Sequence, residues 1–306
     1  MENETKLYGL TNDFLFKAVF GQESNKKLTI CLLNALLQLE GMKQIKEIEI
    51  LNPFNVQNYE DDKLSILDTK VKDATGNCYN IEMQVRNEED FIKRFPYYLS
   101  KLYSSQLYKN EEYGDLKPTI GIAILGYNLF PQSNKIDEEF LFKNKENNIL
   151  LDDIMIMHFI GLTKLSHDKP IKEMTRFEKW VYLLYNSKKY ALKDSKMPSE
   201  MESEAGMSEV VDCVKKTNAD KEMRARMEDR ENSLIALSLM RGSSYRKGKN
   251  DGLLEGRKEG IKEGIKEGIK EGIKNIISIM LSNGTAKETI QKQMNISDEE
   301  YEKLIN

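Results

Sequence analysis

Cysteine, histidine and tryptophan are scarce in this sequence, and their scarcity excludes several kinds of protein. The 306 residues include three cysteines, two histidines and one tryptophan. The cysteines (Cys31, Cys78 and Cys213) are odd in number and show no Cys-x-x-Cys spacing. A disulfide framework or a zinc site is therefore not expected, and a reducing cytoplasm suits the sequence better than an oxidising compartment.

Long apolar runs are absent as well. No segment approaches the roughly 20 apolar residues that a membrane-spanning helix needs. The stretch from Met1 to Lys6 is polar and acidic, unlike a signal peptide. The sequence also lacks a Walker A loop, a dinucleotide-binding glycine fingerprint and an HExxH motif. We therefore expect a soluble cytoplasmic protein that needs no membrane.

The chain has no excess of basic residues. It carries 46 Lys and Arg against 50 Asp and Glu, for a formal net charge of -4. A protein that binds nucleic acid through its overall charge is usually basic, so any contact of that kind must be local here. Bound divalent cations would add positive charge at such a contact.

The apolar and polar patterns predict an α/β domain over residues 1–190. Two helices come first, and the second is almost continuously apolar. The strands are predicted where apolar and polar residues alternate or where a short run is apolar. The helices are predicted where apolar residues recur with a period near 3.6 residues. Helices are predicted over residues 11–21, 28–37, 91–108 and 175–187, and strands over residues 45–51, 64–72, 78–86, 118–125 and 154–165.

Three further segments are predicted after this domain. Residues 191–245 form a charged helical connector that begins with a short polar linker at 196–204. Residues 246–274 carry a Gly-x-x-x repeat, and residues 275–306 form a small helical unit. Two capping-box patterns, Thr285 with Glu288 and Ser297 with Glu300, predict helix starts in that last unit.

The candidate site lies on a predicted hairpin. Alternation places Asp68 and Lys70 on one face of the strand over 64–72, and Glu82 and Gln84 on the polar face of the next strand. Two adjacent carboxylates repel each other unless a cation or proton lies between them. A hard ion such as Mg²⁺ prefers such oxygen ligands. By spacing alone, however, a solvated outer face of an amphipathic hairpin explains the pattern better.

The wider context of the hairpin resembles a known family. The segments Leu64–Asp73 and Tyr79–Gln84 closely resemble the recombination-promoting nuclease (Rpn) and transposase family, a branch of the PD-(D/E)xK nucleases. The opening Thr11–Gly21, the segment Arg94–Tyr108 and the segment Tyr113–Pro118 match that family too. The resemblance covers about residues 7–190, and the glycine-rich charged tail fits it loosely.

The resemblance implies a restriction-endonuclease-like core, a mixed sheet flanked by helices, with an α-helical C-terminal extension. It implies a divalent-metal-dependent DNA endonuclease linked to recombination, mobile elements or defence, most simply with Mg²⁺, and with Mn²⁺ or Ca²⁺ as alternatives. Asp68 and Glu82 become metal ligands, with the backbone carbonyl of Met83 as a third. Gln84 replaces the usual lysine, and Lys70 is the residue that could supply the missing charge.

An alternative is a catalytically weak or inactive DNA-binding or oligomerisation protein with the same fold. The uncharged Gln84 and the lack of basic charge favour this alternative.

Other candidates remain open between a functional and a structural role. Asp13 is either an extra acidic group facing the site or a helix N-terminal acid that interacts with the helix dipole. Arg94 and Lys101 share a helix face and either touch a phosphate or are surface charges. His158 lies in an apolar run typical of a core residue, and His167 lies in a polar loop.

The glycine repeat is unusual for a helix. Seven glycines recur every four residues from Gly248 to Gly272, and each costs roughly 1 kcal/mol relative to Ala. Four isoleucines form a stripe that winds around the helix axis: Ile261, Ile265, Ile269 and Ile273. The segment is either a dimerisation helix or a solvated tether. The following segment from Thr285 to Glu300 has helix-turn-helix character, which fits a small packing unit or a DNA contact.

Overall fold

A computed structural model describes residues 6–52, 68–88, 90–107, 111–166 and 168–305, with the backbone alone for 241–246 and 305. Residues 64–67 of a predicted strand, Tyr108 and His167 lie outside the described residues. The chain divides into two compact units, Met1–Leu234 and Ile235–Asn306. None of the helices in the described part of the chain combines the length and hydrophobicity needed to cross a membrane.

The first unit is built on a mixed sheet. Its strands lie in the order β1-β2-β3-β4-β6-β5. Strands β3, β4 and β6 are parallel to one another, whereas the pairs β1/β2, β2/β3 and β5/β6 are antiparallel. This arrangement confirms the predicted α/β class with a restriction-endonuclease-like core. The strands are β1 (Ile48–Ile50), β2 (Asp68–Asp73), β3 (Cys78–Gln84), β4 (Thr119–Leu125), β5 (Asp137–Leu141) and β6 (Met155–Gly161).

A tight turn sets the register between β2 and β3. The side chain of Asp73 accepts hydrogen bonds from the backbone N–H groups of Thr75 (2.8 Å) and Asn77 (3.0 Å). Gly76 has a φ of 96°, which glycine adopts without a steric cost. The resulting register pairs Asp68 directly with Glu82. The predicted hairpin is therefore confirmed for the described residues.

Helices cover both faces of the sheet. One face packs against α3 (Phe91–Ser104), where Phe95 and Leu99 lie over Gly121 of β4. A methyl group at Gly121 would approach Leu99 Cδ1 to 2.5 Å, so glycine permits this close contact. The main hydrophobic core lies on the other face, beneath α1 (Asp13–Phe20), α2 (Lys26–Leu36), α4 (Arg176–Asn186) and α6 (Met207–Ala219).

Local capping explains where two of these helices begin. The side chain of Asn12 accepts a hydrogen bond from Leu15 N–H at the start of α1, and Gly21 follows its end. Thr175 and Glu178 form a reciprocal capping box at the start of α4. Both signals are visible in the sequence, and they confirm the predicted helices.

The structure differs from the sequence-based expectation in three places. Strand β5 was not predicted, because its Asp-Glu-Glu run carries no apolar alternation and it lies at the sheet edge. The predicted linker at 196–204 contains a short helix, α5 (Ser199–Glu202), whose Met201 is fully buried. The core also continues past residue 190, since Val210 of α6 and Met227 of the following helix are buried in it.

The second unit is helical. The helix α7 (Lys221–Ser282) contributes residues to both units, and α8 (Lys287–Met294) and α9 (Asp298–Ile305) complete the second one. Ile277, Ile290 and Tyr301 form its buried centre.

One of the two predicted capping boxes in this unit forms. The Ser297 hydroxyl and the Glu300 N–H pair at 3.2 Å, while the Glu300 carboxylate accepts from the Ser297 N–H at 2.9 Å. The prediction at Thr285 is wrong, because α8 has Ala286 at its N-cap and no side-chain cap. The Thr285 N–H instead bonds the Met280 carbonyl after Gly284, and so it closes the end of α7.

Candidate active site

Two carboxylates lie side by side on the sheet face that α3 covers. Asp68 and Glu82 are direct cross-strand partners, and their residues are only 8% and 3% exposed. The same side chains on an amphipathic hairpin exposed to solvent would be hydrated. Here burial removes most of that water, so the solvated-face explanation does not describe this pair.

Three cationic or polar groups surround Asp68. Lys70 Nζ lies 3.3 Å from Asp68 Oδ2 in an ion pair. Asn52 Nδ2 lies 3.2 Å from Asp68 Oδ1. Lys17, a buried residue of α1, donates from Nζ to the backbone carbonyl of Asp68. The Asp68 segment is thus held by Asn52 after β1, by Lys70 of β2 and by Lys17 of α1.

Glu82 is less completely satisfied. Its Oε1 accepts a hydrogen bond from Arg94 Nη2 at 3.2 Å, whereas its buried Oε2 has no hydrogen-bond partner among the described residues. Burial raises the pKa of Glu82 to about 7, although Arg94 lowers it and Asp68 raises it further. A cation that reaches Oε2 would stabilise the charged form of the Glu82 carboxylate.

Gln84 and Arg94 extend the site along β3. Arg94 Nη2 also approaches Gln84 Oε1 at 3.3 Å, and Arg94 Nη1 pairs with Glu88 at 2.5 Å. Gln84 Nε2 donates to the Arg86 carbonyl at 2.7 Å. The Arg94 guanidinium therefore lies beside the Gln84 amide, at the position where the resemblance implies a lysine.

Sequence reasoning missed two groups near the pair and gave no role to a third. Lys17 lies in the opening segment Thr11–Gly21 that matches the family, but nothing in the sequence indicates that it is buried. Asn80, fully buried on β3, has both amide atoms without a partner in the described chain. The buried Tyr127 hydroxyl likewise lacks a partner there. Burial raises the pKa of Tyr127 to about 12, with Glu88 adding to that shift.

The remaining predicted candidates lie elsewhere or serve other contacts. Asp13 pairs with Arg230 of α7, with Oδ2 at 2.6 Å from Nη2 and 3.0 Å from Nε. His158 Nδ1 lies 2.9 Å from Asp137 Oδ2, between β6 and β5. Lys101 is exposed, and its Nζ lies 4.7 Å from the centre of the Tyr97 ring.

The site residues fit a hard divalent cation. Within the described ranges, no group of three or more His, Cys, Asp or Glu side chains is arranged to hold a metal. Mg²⁺ commonly takes one or two carboxylates and keeps several waters, so two carboxylates suffice. The unpartnered Glu82 Oε2 beside Asp68 is the observation that fits such an ion. The side chain of Met83 is buried in the core on the other face.

The mixed sheet with its flanking helices is consistent with the fold of the PD-(D/E)XK nucleases. Comparison with family profiles matches residues 10–236 to the family described as "PD-(D/E)XK nuclease family transposase", and the chain belongs to that family. This result confirms the resemblance seen in the sequence and supports a nuclease-type function at the level of the family. Neither the curated proteins nor the solved structures gave a match.

Proposed function

We propose that this protein is a divalent-metal-dependent endodeoxyribonuclease that hydrolyses DNA phosphodiester bonds in recombination, mobile-element movement or defence. The observation that carries the proposal is the buried pair of Asp68 and Glu82, in direct register and with one Glu82 oxygen unpartnered. Membership of the nuclease family supports the same reaction class.

Each residue has a distinct role in this proposal. Asp68 and Glu82 would hold the ion, most simply Mg²⁺, with the Met83 carbonyl as a third ligand. A bound ion of this kind would polarise the scissile phosphate and acidify an attacking water. Gln84 orients that water through its amide, since it can neither carry charge nor act as a base. Lys70, 3.3 Å from Asp68, supplies positive charge.

A weakly active or inactive DNA-binding protein is the second candidate. Arg94 favours it, because its guanidinium already contacts both Glu82 and Gln84. An internal cation at this position can balance Glu82 without a metal. Both candidate functions include DNA binding, and only the nuclease cleaves the DNA.

Plasmid nicking with Mg²⁺, Mn²⁺ or Ca²⁺ separates the candidates. We expect nicking by the natural protein, and its loss in Asp68→Asn and Glu82→Gln. Glu139→Gln on the exposed edge strand β5 is the matched control and should nick normally. Nicking that survives both site substitutions would falsify the site assignment. No nicking with any metal would instead favour the second candidate.

We also propose that the glycine repeat of α7 mediates self-association. The repeat is helical, and an added Cβ at Gly260, Gly264 or Gly268 would have no neighbouring atom within 4 Å. Ile261 and Ile265 on the same segment are 54% and 59% exposed. Glycines permit a second helix to approach closely, and exposed isoleucines would be buried by it.

Light scattering during size-exclusion chromatography tests this association. The full chain should elute as a dimer, and a chain ending after Arg241 should elute as a monomer. An equal number of protomers in both samples would contradict the proposal.

A further inference from the structure

The first unit has an open pocket of about 1050 Å³ whose lining includes six cationic residues. No carboxylate side chain is among the described residues that line it. This concentration of positive charge stands out in a chain whose net charge is -4. We call it the basic pocket, and its cationic lining residues are Lys6, Lys188, Lys193, Lys215, Lys216 and Arg224.

A buried polar network holds the walls of the basic pocket together. Asn218, which is 2% exposed, accepts from the Tyr8 N–H at 2.8 Å and donates to the Tyr8 carbonyl at 3.0 Å. Ser187, also buried, accepts from the Leu10 N–H at 2.7 Å. The N-terminal segment, the end of α4 and the end of α6 are therefore fixed to one another, so their lysines are presented by a built scaffold.

Most of the positive charge in the pocket is not balanced by these contacts. Lys6 pairs with Glu231 at 2.6 Å. Lys215 donates to the Ser195 carbonyl at 2.8 Å, and Arg224 donates to a backbone carbonyl of Asn218. A carbonyl satisfies a donor and leaves the charge in place. The three other lysines of the pocket are exposed.

Helix α7 connects the basic pocket to the neighbourhood of the acid pair. Arg224 lines the pocket, and the carbonyl of Leu234 accepts a hydrogen bond from Arg86 at 2.8 Å. Arg86 in turn accepts from Gln84 at the end of β3. Leu234 lies ten positions after Arg224, which corresponds to about 15 Å along the helix. An extended polyanion can cover such a distance, whereas a single phosphate cannot.

We propose that the basic pocket binds phosphate groups of a DNA backbone, at a distance from the phosphodiester at the acid pair. The choice of DNA as the source of phosphate rests on the proposed function. The phosphate chemistry rests on the pocket itself. A nuclease with no general excess of positive charge needs a local cationic surface to hold its substrate, and phosphate contacts supply affinity and register without sequence preference.

DNA binding as a function of salt, in EDTA and without divalent metal, tests the proposal on the full chain. The test variant is Lys188→Gln/Lys193→Gln/Lys216→Gln, which alters three exposed lysines of the pocket. The matched control is Lys135→Gln/Lys145→Gln/Lys172→Gln, which removes the same charge from exposed positions elsewhere. The probe is a short fluorescent DNA duplex, read by anisotropy, and thermal melting checks that each variant folds.

The pocket variant should make the negative slope of log K against log salt shallower by about 2 to 3, since each phosphate contact contributes about −0.9. Its affinity at low salt should fall by at least about tenfold, while the control keeps the slope of the natural protein. An unchanged slope in the pocket variant would overturn the proposal. Equal losses in both variants would overturn it too, because they would indicate bulk charge.

A calorimetric titration with inorganic phosphate distinguishes the second source of the same chemistry. Phosphate binding that the pocket variant loses, together with an unchanged DNA slope, would assign the pocket to a small phosphate and refute the DNA proposal. Because binding is read without metal, an absence of plasmid nicking leaves this result intact. The failure of the nuclease proposal and the failure of this one are therefore distinguishable.

Discussion

The ion pair between Asp13 and Arg230 makes a large and specific prediction. Asp13 begins α1 and Arg230 lies on α7, and their side chains are 14% and 5% exposed. Arg230 Nη2 donates to Asp13 Oδ2 at 2.6 Å and Nε donates to Oδ1 at 3.2 Å, which is the bidentate geometry of arginine with a carboxylate. Removing one member of a buried pair leaves the other charge uncompensated and costs about 3–5 kcal/mol. We therefore expect Arg230→Met to lower the free energy of unfolding by that amount.

Urea denaturation, analysed as a double-mutant cycle with Asp13→Asn, isolates the pair. The double variant should lose less stability than the sum of the two single variants, because each single variant already removes the interaction between the two side chains. Lys26→Met is the control, since it breaks a half-exposed pair with Glu23 and should cost less than about 1 kcal/mol. A loss in the free energy of unfolding for Arg230→Met no larger than that for Lys26→Met would contradict the buried contact between α7 and α1.

Three further predictions concern the site, the sheet and one helix cap. Lys70→Met should slow plasmid nicking by about 10²-fold if its charge supports the reaction, and Lys70→Arg should restore part of that rate. Gly121→Ala should lower stability by about 1–3 kcal/mol in urea, because its methyl group would crowd Leu99; no measurable loss would contradict the packing. Burial favours a higher pKa for Glu178, but Lys169 and the capping hydrogen bonds lower it below its usual value. Its stabilisation is therefore present above its unfolded-state pKa and disappears as the pH falls through the folded one. Glu178→Gln should lower the melting temperature at neutral pH and lose that difference in acid.

The parts of the fold that local patterns specify could be predicted from the sequence. The turn at Gly76 and the alternation on either side predict a hairpin that brings Asp68 near Glu82, and the register pairs the two residues directly. In the same way, Gly21 marks the end of α1 and Thr11 or Asn12 its start, and the structure has Asn12 as the cap. In each case the information lies within a few residues of the feature that it determines.

The remainder depends on contacts between distant segments. Asp13 and Arg230 are 217 residues apart, so no local pattern could assign Asp13 to that pair. The burial of Lys17 depends on how α1 lies against β2, and the contact between Arg94 and Glu82 depends on how α3 crosses the sheet. Strand β5 escaped prediction because it gains its partner only through the register with β6.

Calorimetric titration of Mn²⁺ into the full chain tests the central claim most directly, because it reads the acid pair without requiring cleavage. The natural protein and the edge-strand control Glu139→Gln should bind Mn²⁺ alike. Asp68→Asn and Glu82→Gln should each weaken binding by at least about tenfold, since each removes one of two charged ligands. Binding of equal strength in all four proteins would show that Asp68 and Glu82 do not form the metal site.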